Sequence, residues 1–218
     1  MPYRLECEMP PSNRADQIFI VDDDAAVRET LSVVFTSAGY DVVRFAEGAA
    51  LLAAVKDRSP VCIILDVHIP GKSGLDILKQ LNAQDYPAPV FIMSGRGDIA
   101  MAVDAIKNGA LDFIEKPFRG SEVVTRVRAA IEANAQRIAS QGAAASPSMN
   151  FPGREPLTAR EQDVLRGLVD GASNKEIARQ LGISPRTIEV HRARVMEKLG
   201  ARNAADLIRL VMSEGRKR

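Results

Sequence analysis

Four short runs in the first 115 residues are apolar with little or no alternation: Ile18–Val21, Val61–Leu65, Val90–Met93 and Leu111–Ile114. A run with no polar face suits a strand covered on both sides, as in a parallel sheet. A fifth run, Asp41–Phe45, is shorter of apolar residues. Between the runs the spacing changes to that of helices. Val27, Leu31 and Val34 or Phe35 mark a helix from about Ala25 that Gly39 stops. Ala49, Leu52, Ala53 and Lys56 mark one over Gly48–Lys56, and others are predicted over Gly74–Asn82 and over Ile99–Lys107, closed by Asn108-Gly109. Ser121 is expected to cap a last helix reaching about Ile138.

Five strand–helix units in strict alternation predict an α/β domain, a doubly wound five-stranded parallel sheet of flavodoxin-like order, over residues 16–138. Residues 1–15 are polar, contain proline and show no period, and read as a flexible N-terminal extension. Residues 139–153 read as a linker, because Gln141–Pro152 is rich in Ala, Ser, Gly and Pro and has no apolar face. Residues 154–218 then carry explicit helix signals. Thr158-Ala-Arg-Glu161 and Ser173-Asn-Lys-Glu176 are capping boxes, Ser184-Pro185 sets a cap before a first-turn proline, and Asn203 with Asp206 starts a fourth helix. Gly171, Gly182 and Gly200 mark the stops, so a small all-α domain of four helices follows the sheet.

Charge separates the same two parts. Residues 1–153 hold 15 Lys and Arg against 19 Asp and Glu, a net of −4, and residues 154–218 hold 14 against 9, a net of +5. An acidic globular part and a basic tail domain point to a nucleic-acid partner for the latter. Two cysteines, Cys7 and Cys62, are too few for a disulfide framework, and Cys62 in mid-strand reads as a packed thiol. No apolar run approaches the roughly 20 residues of a membrane helix, and no charged-then-apolar leader opens the chain, so a soluble cytosolic protein without membrane contact is expected.

Polar residues end the predicted strands on one side of the sheet, the side where ligands bind in open α/β folds. They are Asp22-Asp23, Asp66, Ser94 and Lys116. Three carboxylates resist being charged together unless a cation joins them. Oxygen-only ligands with room for water favour Mg2+. A lysine and a hydroxyl beside such an ion suit a transferred phosphoryl group, whose chemistry is positioning and charge neutralisation. Carboxylates are known nucleophiles toward phosphorus. The residues thus predict a magnesium-assisted aspartyl-phosphate site. Taken singly, each aspartate reads as a helix cap or solvated strand end, and Phe113 as core. His68 reads as a solvent-facing loop residue.

Val21-Asp22-Asp23, Leu65-Asp66-Val67-His68-Ile69-Pro70-Gly71, Met93-Ser94-Gly95 and Phe113-Ile114-Glu115-Lys116-Pro117 resemble, in order and spacing, the motifs of the receiver domain of two-component response regulators. The resemblance covers residues 16–138. It implies Asp66 as phosphoacceptor, Mg2+ held by Asp22, Asp23, Asp66 and the His68 backbone carbonyl, Lys116 contacting the phosphoryl, Ser94 as switch hydroxyl and Phe113 as switch aromatic. Ser94 stands where family members often have Thr, and Asp24 where they often have Glu.

In the basic domain Ser173–Gly200 reads as helix, tight turn and second helix. On the second helix Ile188, Val195 and Leu199 share one face, predicted to pack inward. Arg186, Val190, Ala193, Arg194 and Glu197 share the opposite face, with Thr187, Glu189 and Lys198 on its flanks. Such a face suits the major groove. His191 points to the flank of the buried face and is read as structural. Leu157-Thr158-Ala-Arg160-Glu161, Asn174-Lys175-Glu176-Ile177-Ala178, Leu181-Gly-Ile-Ser184 and Arg186-Thr-Ile-Glu-Val-His191 resemble the LuxR-type helix-turn-helix, and with the receiver the chain resembles NarL/FixJ regulators. The resemblance implies DNA contacts by Lys175, Arg186, Thr187, Glu189, Val190, Ala193, Arg194 and Lys198, with Lys198 on a phosphate. It also implies a dimerisation helix carrying Ala204, Leu207, Ile208 and Val211, although plain core packing explains part of the same stripe. The implied partners are a sensor histidine kinase, promoter DNA, RNA polymerase and, on phosphorylation, a second copy. Two other readings fit parts of the sequence. Asp22-x-Asp24, a serine-ended strand and a later lysine are similar to haloacid-dehalogenase-like phosphatases, but that leaves Asp66 without a role. The other is a DNA-binding regulator independent of phosphate. The resemblance favours a regulator that is not an enzyme beyond accepting phosphate from a donor and slowly losing it.

Overall fold

The computed structural model describes residues 16–95, 99–143, 151 and 153–214. The expected extension 1–15, with Cys7, and most of the linker lie outside them. The first part runs β1 (Gln17–Val21), α1 (Ala25–Ser37), β2 (Asp41–Phe45), α2 (Gly48–Ala54), β3 (Cys62–Asp66), α3 (Gly74–Leu81), β4 (Val90–Ser94), α4 (Ile99–Lys107), β5 (Asp112–Glu115) and α5 (Gly120–Ala143). All strand pairs are parallel, in the order β2-β1-β3-β4-β5. The chain winds to one side from β1 to β2 and to the other through β3, so the reversal lies between β1 and β3. Val21 pairs with Leu65 there, which brings the residues after both strands to one crevice.

Both faces of the sheet are covered, which is why its strands read as unbroken apolar runs. Ile18, Ile20, Cys62 and Ile64 enter one buried cluster with Leu31 and Phe35 of α1 and Val123 and Val127 of α5. Their neighbours Phe19, Val21, Ile63 and Leu65 enter the other with Leu51, Ile77, Leu78 and Ile106 of α2, α3 and α4. Cys62 is fully buried, and burial pushes its thiol pKa up, as befits a packed side chain.

The helical part holds α6 (Ala159–Val169), α7 (Asn174–Leu181), α8 (Pro185–Leu199) and α9 (Ala204–Glu214). Both predicted capping boxes form, and Ser184 caps α8 ahead of Pro185. The Asp206 N–H donates to Asn203 Oδ1 at the start of α9. Ile188, Val195 and Leu199 are buried as expected.

Two differences concern α5. It begins at Gly120, so Ser121 lies in its first turn instead of capping it, and it continues to Ala143, five residues beyond the expected end. The stretch after Ile138 is largely Ala, Gln and Ser, and alanine and glutamine prolong a helix readily once one has started. The segment read as the start of the linker is therefore helical through Ala143.

The two parts touch along two seams, α4 against α8 and α5 against α7. Gly182, in the turn between α7 and α8, sits directly on the α5 backbone. A Cβ there would lie 2.7 Å from the Ala129 carbonyl carbon and the Ala130 nitrogen, and its φ of +67° is left-handed. Only glycine meets both requirements without displacement.

Candidate functional site

Asp66 is the last residue of β3, and Asp22 directly follows β1 at the crevice beside it; both are buried. Asp23 is exposed at its edge. One carboxylate oxygen of each of Asp22, Asp23 and Asp66 lies within 4.8 Å of the others. Lys116, just after β5, reaches across: its Nζ donates to Asp22 Oδ2 and to Asp66 Oδ2, each at 2.7 Å. Burial pushes the Asp22 carboxyl pKa up, against the pull of Lys116 and of the Asp24 N–H. Burial also opposes the charge on Lys116, but the hydrogen bonds and charges of the two carboxylates outweigh it and hold its pKa above the usual lysine range.

Three carboxylates and one ammonium leave this rim two positive charges short. An all-oxygen donor set with that deficit fits a divalent hard cation such as Mg2+. The His68 N–H donates to Asp66 Oδ1 at 3.3 Å, and the His68 side chain is exposed as expected. Gly74 opens α3 so close to the strand that a Cβ would stand 2.4 Å from the Asp66 carbonyl oxygen. Ser94 ends β4 buried, and its carbonyl accepts the Lys116 N–H at 2.8 Å. Asp22, Asp23, Asp66, Ser94 and Lys116 are thus brought together. Asp24 is not among them: its carboxylate accepts the Ala26 N–H at 2.8 Å and caps α1.

Phe113 is half-buried on β5, with the Arg186 guanidinium 5.5 Å from the centre of its ring. That contact crosses between the two parts. The face of α8 predicted to meet DNA is turned toward α4. Arg186, Glu189, Val190, Ala193, Arg194 and Glu197 line one groove with Val103 and Lys107. Thr187 is fully buried, and its hydroxyl donates to Asp112. Helical spacing grouped these side chains correctly but cannot tell which surface covers them.

Lys198 departs from its expected role. Its Nζ lies 3.0 Å from Glu161 Oε2, 3.1 Å from Glu155 Oε1 and 3.1 Å from the Pro156 carbonyl oxygen, with 8% of the side chain exposed. It neutralises the buried Glu161 of the first capping box and is not presented to a DNA phosphate. Burial pushes the Glu161 carboxyl up, but the Thr158 N–H, Lys198 and Arg194 together bring it below the usual range. Lys175 is exposed on α7. Of the residues expected on the dimerisation helix, Leu207 is buried in the core with Val211 packed against it, while Ala204 and Ile208 are exposed. Met212, not foreseen, is 59% exposed one turn beyond Ile208.

His191 supports the interior as expected, in an unusual way. It is 4% exposed, and neither ring nitrogen has a hydrogen-bond partner. It lines a cleft of about 70 Å³ between the parts, together with Tyr86, Asn134 and Arg160. Burial lowers its pKa to about 4, so the ring is neutral. The residue that sequence reasoning missed is Asp112. Its signal was a lone acid in a run otherwise apolar.

No helix among the described residues is long and apolar enough to cross a membrane. Compared with known proteins, residues 18–128 match the response regulator receiver domain and residues 155–211 match the bacterial regulatory proteins of the luxR family. The chain is 42% identical over 207 residues to the transcriptional regulatory protein FixJ of Bradyrhizobium diazoefficiens, covering 91% of this chain and 95% of that protein. It is 40% identical to the response regulator protein TodT of Pseudomonas putida, covering 96% of each. Among solved structures, full-length FixJ from B. japonicum matches with a TM-score of 0.52 at 41% identity, over 92% of this chain and 97% of that one.

Proposed function

Because the chain belongs to the response regulators of the NarL/FixJ type, a receiver domain joined to a LuxR-type DNA-binding domain, we propose that it is a transcriptional regulator switched by phosphorylation of Asp66. The observation that carries this is the Asp22, Asp23 and Asp66 cluster with Lys116 bonded across two of its members. An Asp66 carboxylate oxygen attacks the phosphorus of a phosphohistidine on a sensor kinase. The new P–O bond forms as the P–N bond breaks, and the leaving imidazole takes up a proton. Mg2+, held by Asp22, Asp23, Asp66 and the His68 carbonyl, would neutralise charge on the transferring group. The phosphoryl brings roughly −1.5 to −2 charges to the rim. Lys116 exchanges a carboxylate for a phosphoryl oxygen, and the Ser94 hydroxyl turns to another. Loss of the phosphoryl to water is slow, and no other turnover is ascribed to the site.

Receivers of this family pair through the surface around α4 and β5, the surface that α8 occupies here. One face cannot serve both. Phosphorylation that favours the receiver dimer therefore frees two DNA-binding domains, tethered together, for a paired half-site in a promoter. The tether raises their effective concentration into the millimolar range without any new protein–DNA contact. Lys175, Arg186, Glu189, Val190, Ala193 and Arg194 then face DNA, Ala204, Ile208 and Met212 face a second copy, and RNA polymerase is recruited from the cytoplasm. Family likeness favours activation over repression.

The test is chemical. A small acyl phosphate with Mg2+ is expected to place one phosphoryl group on the protein, mapped to Asp66 after reduction with borohydride. Asp66→Asn should accept none. Labelling of Asp66→Asn at the wild-type level overturns the assignment.

A further inference from the structure

β5 opens with an aspartate where both sheet faces call for an apolar residue, and Asp112 is fully buried. Its carboxylate is the meeting point of the two domains. It accepts the Ser184 N–H at 2.8 Å, the Ser184 hydroxyl at 3.0 Å and the Thr187 hydroxyl. From its own domain it accepts the Arg126 guanidinium and the Phe113 N–H. Ser184 is the N-cap of α8, and its Oγ also accepts the Thr187 N–H at 3.1 Å. The first turn of α8 thus converges one backbone N–H and two hydroxyls on a single anion.

A helix N-terminus with converging N–H and O–H donors is an anion site, and here an anion is seated in it. In a helix-turn-helix the N-terminal residues of the second helix enter the major groove, and most polar contacts of such a domain go to backbone phosphates. We infer that the Ser184 N–H, Ser184 Oγ and Thr187 Oγ1 form a site for one DNA backbone phosphate, which Asp112 fills in the docked form as an intramolecular stand-in. The inference rests on the DNA-binding reading given above. Asp112 offers these three donors two oxygens of one anionic group, as a backbone phosphate would. Arg126 stays with Asp112 when α8 leaves, so the buried carboxylate keeps a cation and release is reversible. Arg186 leaves Phe113 in the same movement, which adds a cation beside the vacated donors. Docking and DNA binding then exclude one another at one group of atoms.

Full-length protein, unphosphorylated and phosphorylated, is titrated onto a DNA duplex selected by the phosphorylated wild type. Unphosphorylated Asp112→Ala should bind at least tenfold more tightly than unphosphorylated wild type, and Asp112→Asn, which keeps the side-chain shape, should move the same way. In the Asp112→Ala background, Thr187→Val should lower affinity by about tenfold on selected and unrelated duplexes alike, as loss of a phosphate contact does. Replacing one phosphate per half-site by a neutral methylphosphonate should weaken Asp112→Ala but not the double variant. If phosphorylated wild type binds DNA while neither Asp112 variant gains affinity, or if Thr187→Val and the methylphosphonate change nothing, the stand-in is overturned and the regulator stands. If phosphorylated wild type itself binds no DNA, the underlying reading falls with it.

Discussion

Replacing Lys116 by methionine should make the acidic rim bind Mg2+ more tightly. The lysine donates two charge-assisted hydrogen bonds, to Asp22 and Asp66, each at 2.7 Å. A cation drawing on those carboxylates competes with the ammonium for them. Bonds to charged groups contribute about 1.5–3 kcal/mol each, and the lower figure applies here because the Lys116 side chain is 24% exposed. Displacing one such bond costs about 1.5 kcal/mol and displacing both about 3 kcal/mol, so removing the competitor should tighten binding roughly 10- to 150-fold. Lys116→Arg keeps the charge and should stay within a few-fold of wild type. Calorimetric titration with Mg2+ at pH 8 measures this; alkaline conditions are chosen because the raised Asp22 pKa lets protons compete with the metal as the pH falls. A Lys116→Met protein that binds Mg2+ no more tightly than wild type, or more weakly, would refute the idea that lysine and metal share these oxygens.

Three further expectations concern the helical domain and its seat. His191 has a pKa near 4 in the folded protein against 6.5 unfolded, because it is buried facing Glu161, Arg160 and Arg194 of its own domain and Asp112 of the receiver. The unfolded chain therefore binds more protons between those values. Stability is fully present above about pH 6.5 and falls by up to roughly 3 kcal/mol as the pH drops toward 4; urea unfolding should show this slope, and His191→Gln should flatten it. Gly182→Ala places a methyl group 2.7 Å from the α5 backbone. It should cost about 1–2 kcal/mol of local strain and raise DNA binding by the unphosphorylated protein several-fold, with an extended scattering profile. Lys198→Met leaves the buried Glu161 without its closest cation, so it should destabilise the helical domain by roughly 3 kcal/mol while leaving the salt dependence of DNA binding unchanged.

How much of this was legible in the chain depends on which level carried the information. The sheet and its acidic rim were written locally: four of the five strands, all but β2, end on or next to a functional residue, and the order of the strands follows from alternation and handedness. The capping boxes at Thr158 and Ser173 were equally readable, since cap and partner lie three residues apart. Lys198 was misjudged because a basic residue on a helix flank looks the same whether it meets a phosphate or a buried glutamate 37 residues earlier. The docking of α8 on α4 was invisible because it is a relation between two surfaces each of which is sound alone. Asp112 did leave a trace, a charge in a buried strand, but its partners Ser184 and Thr187 lie 72 and 75 residues away. The end of α5 was missed for a different reason: an Ala- and Gln-rich stretch with no apolar face reads as a linker, yet continues a helix already begun.

The central claim is that the charge state of Asp66 decides whether the DNA-binding face is free. It is tested most directly by the affinity of full-length protein for its selected duplex in three forms: unphosphorylated wild type, wild type phosphorylated by an acyl phosphate with Mg2+, and Asp66→Asn given the same treatment. The account predicts tight binding by the second form alone, with the other two weaker by at least tenfold and alike. Asp66→Asn binding as tightly as phosphorylated wild type, or no difference between the first two forms, would contradict it.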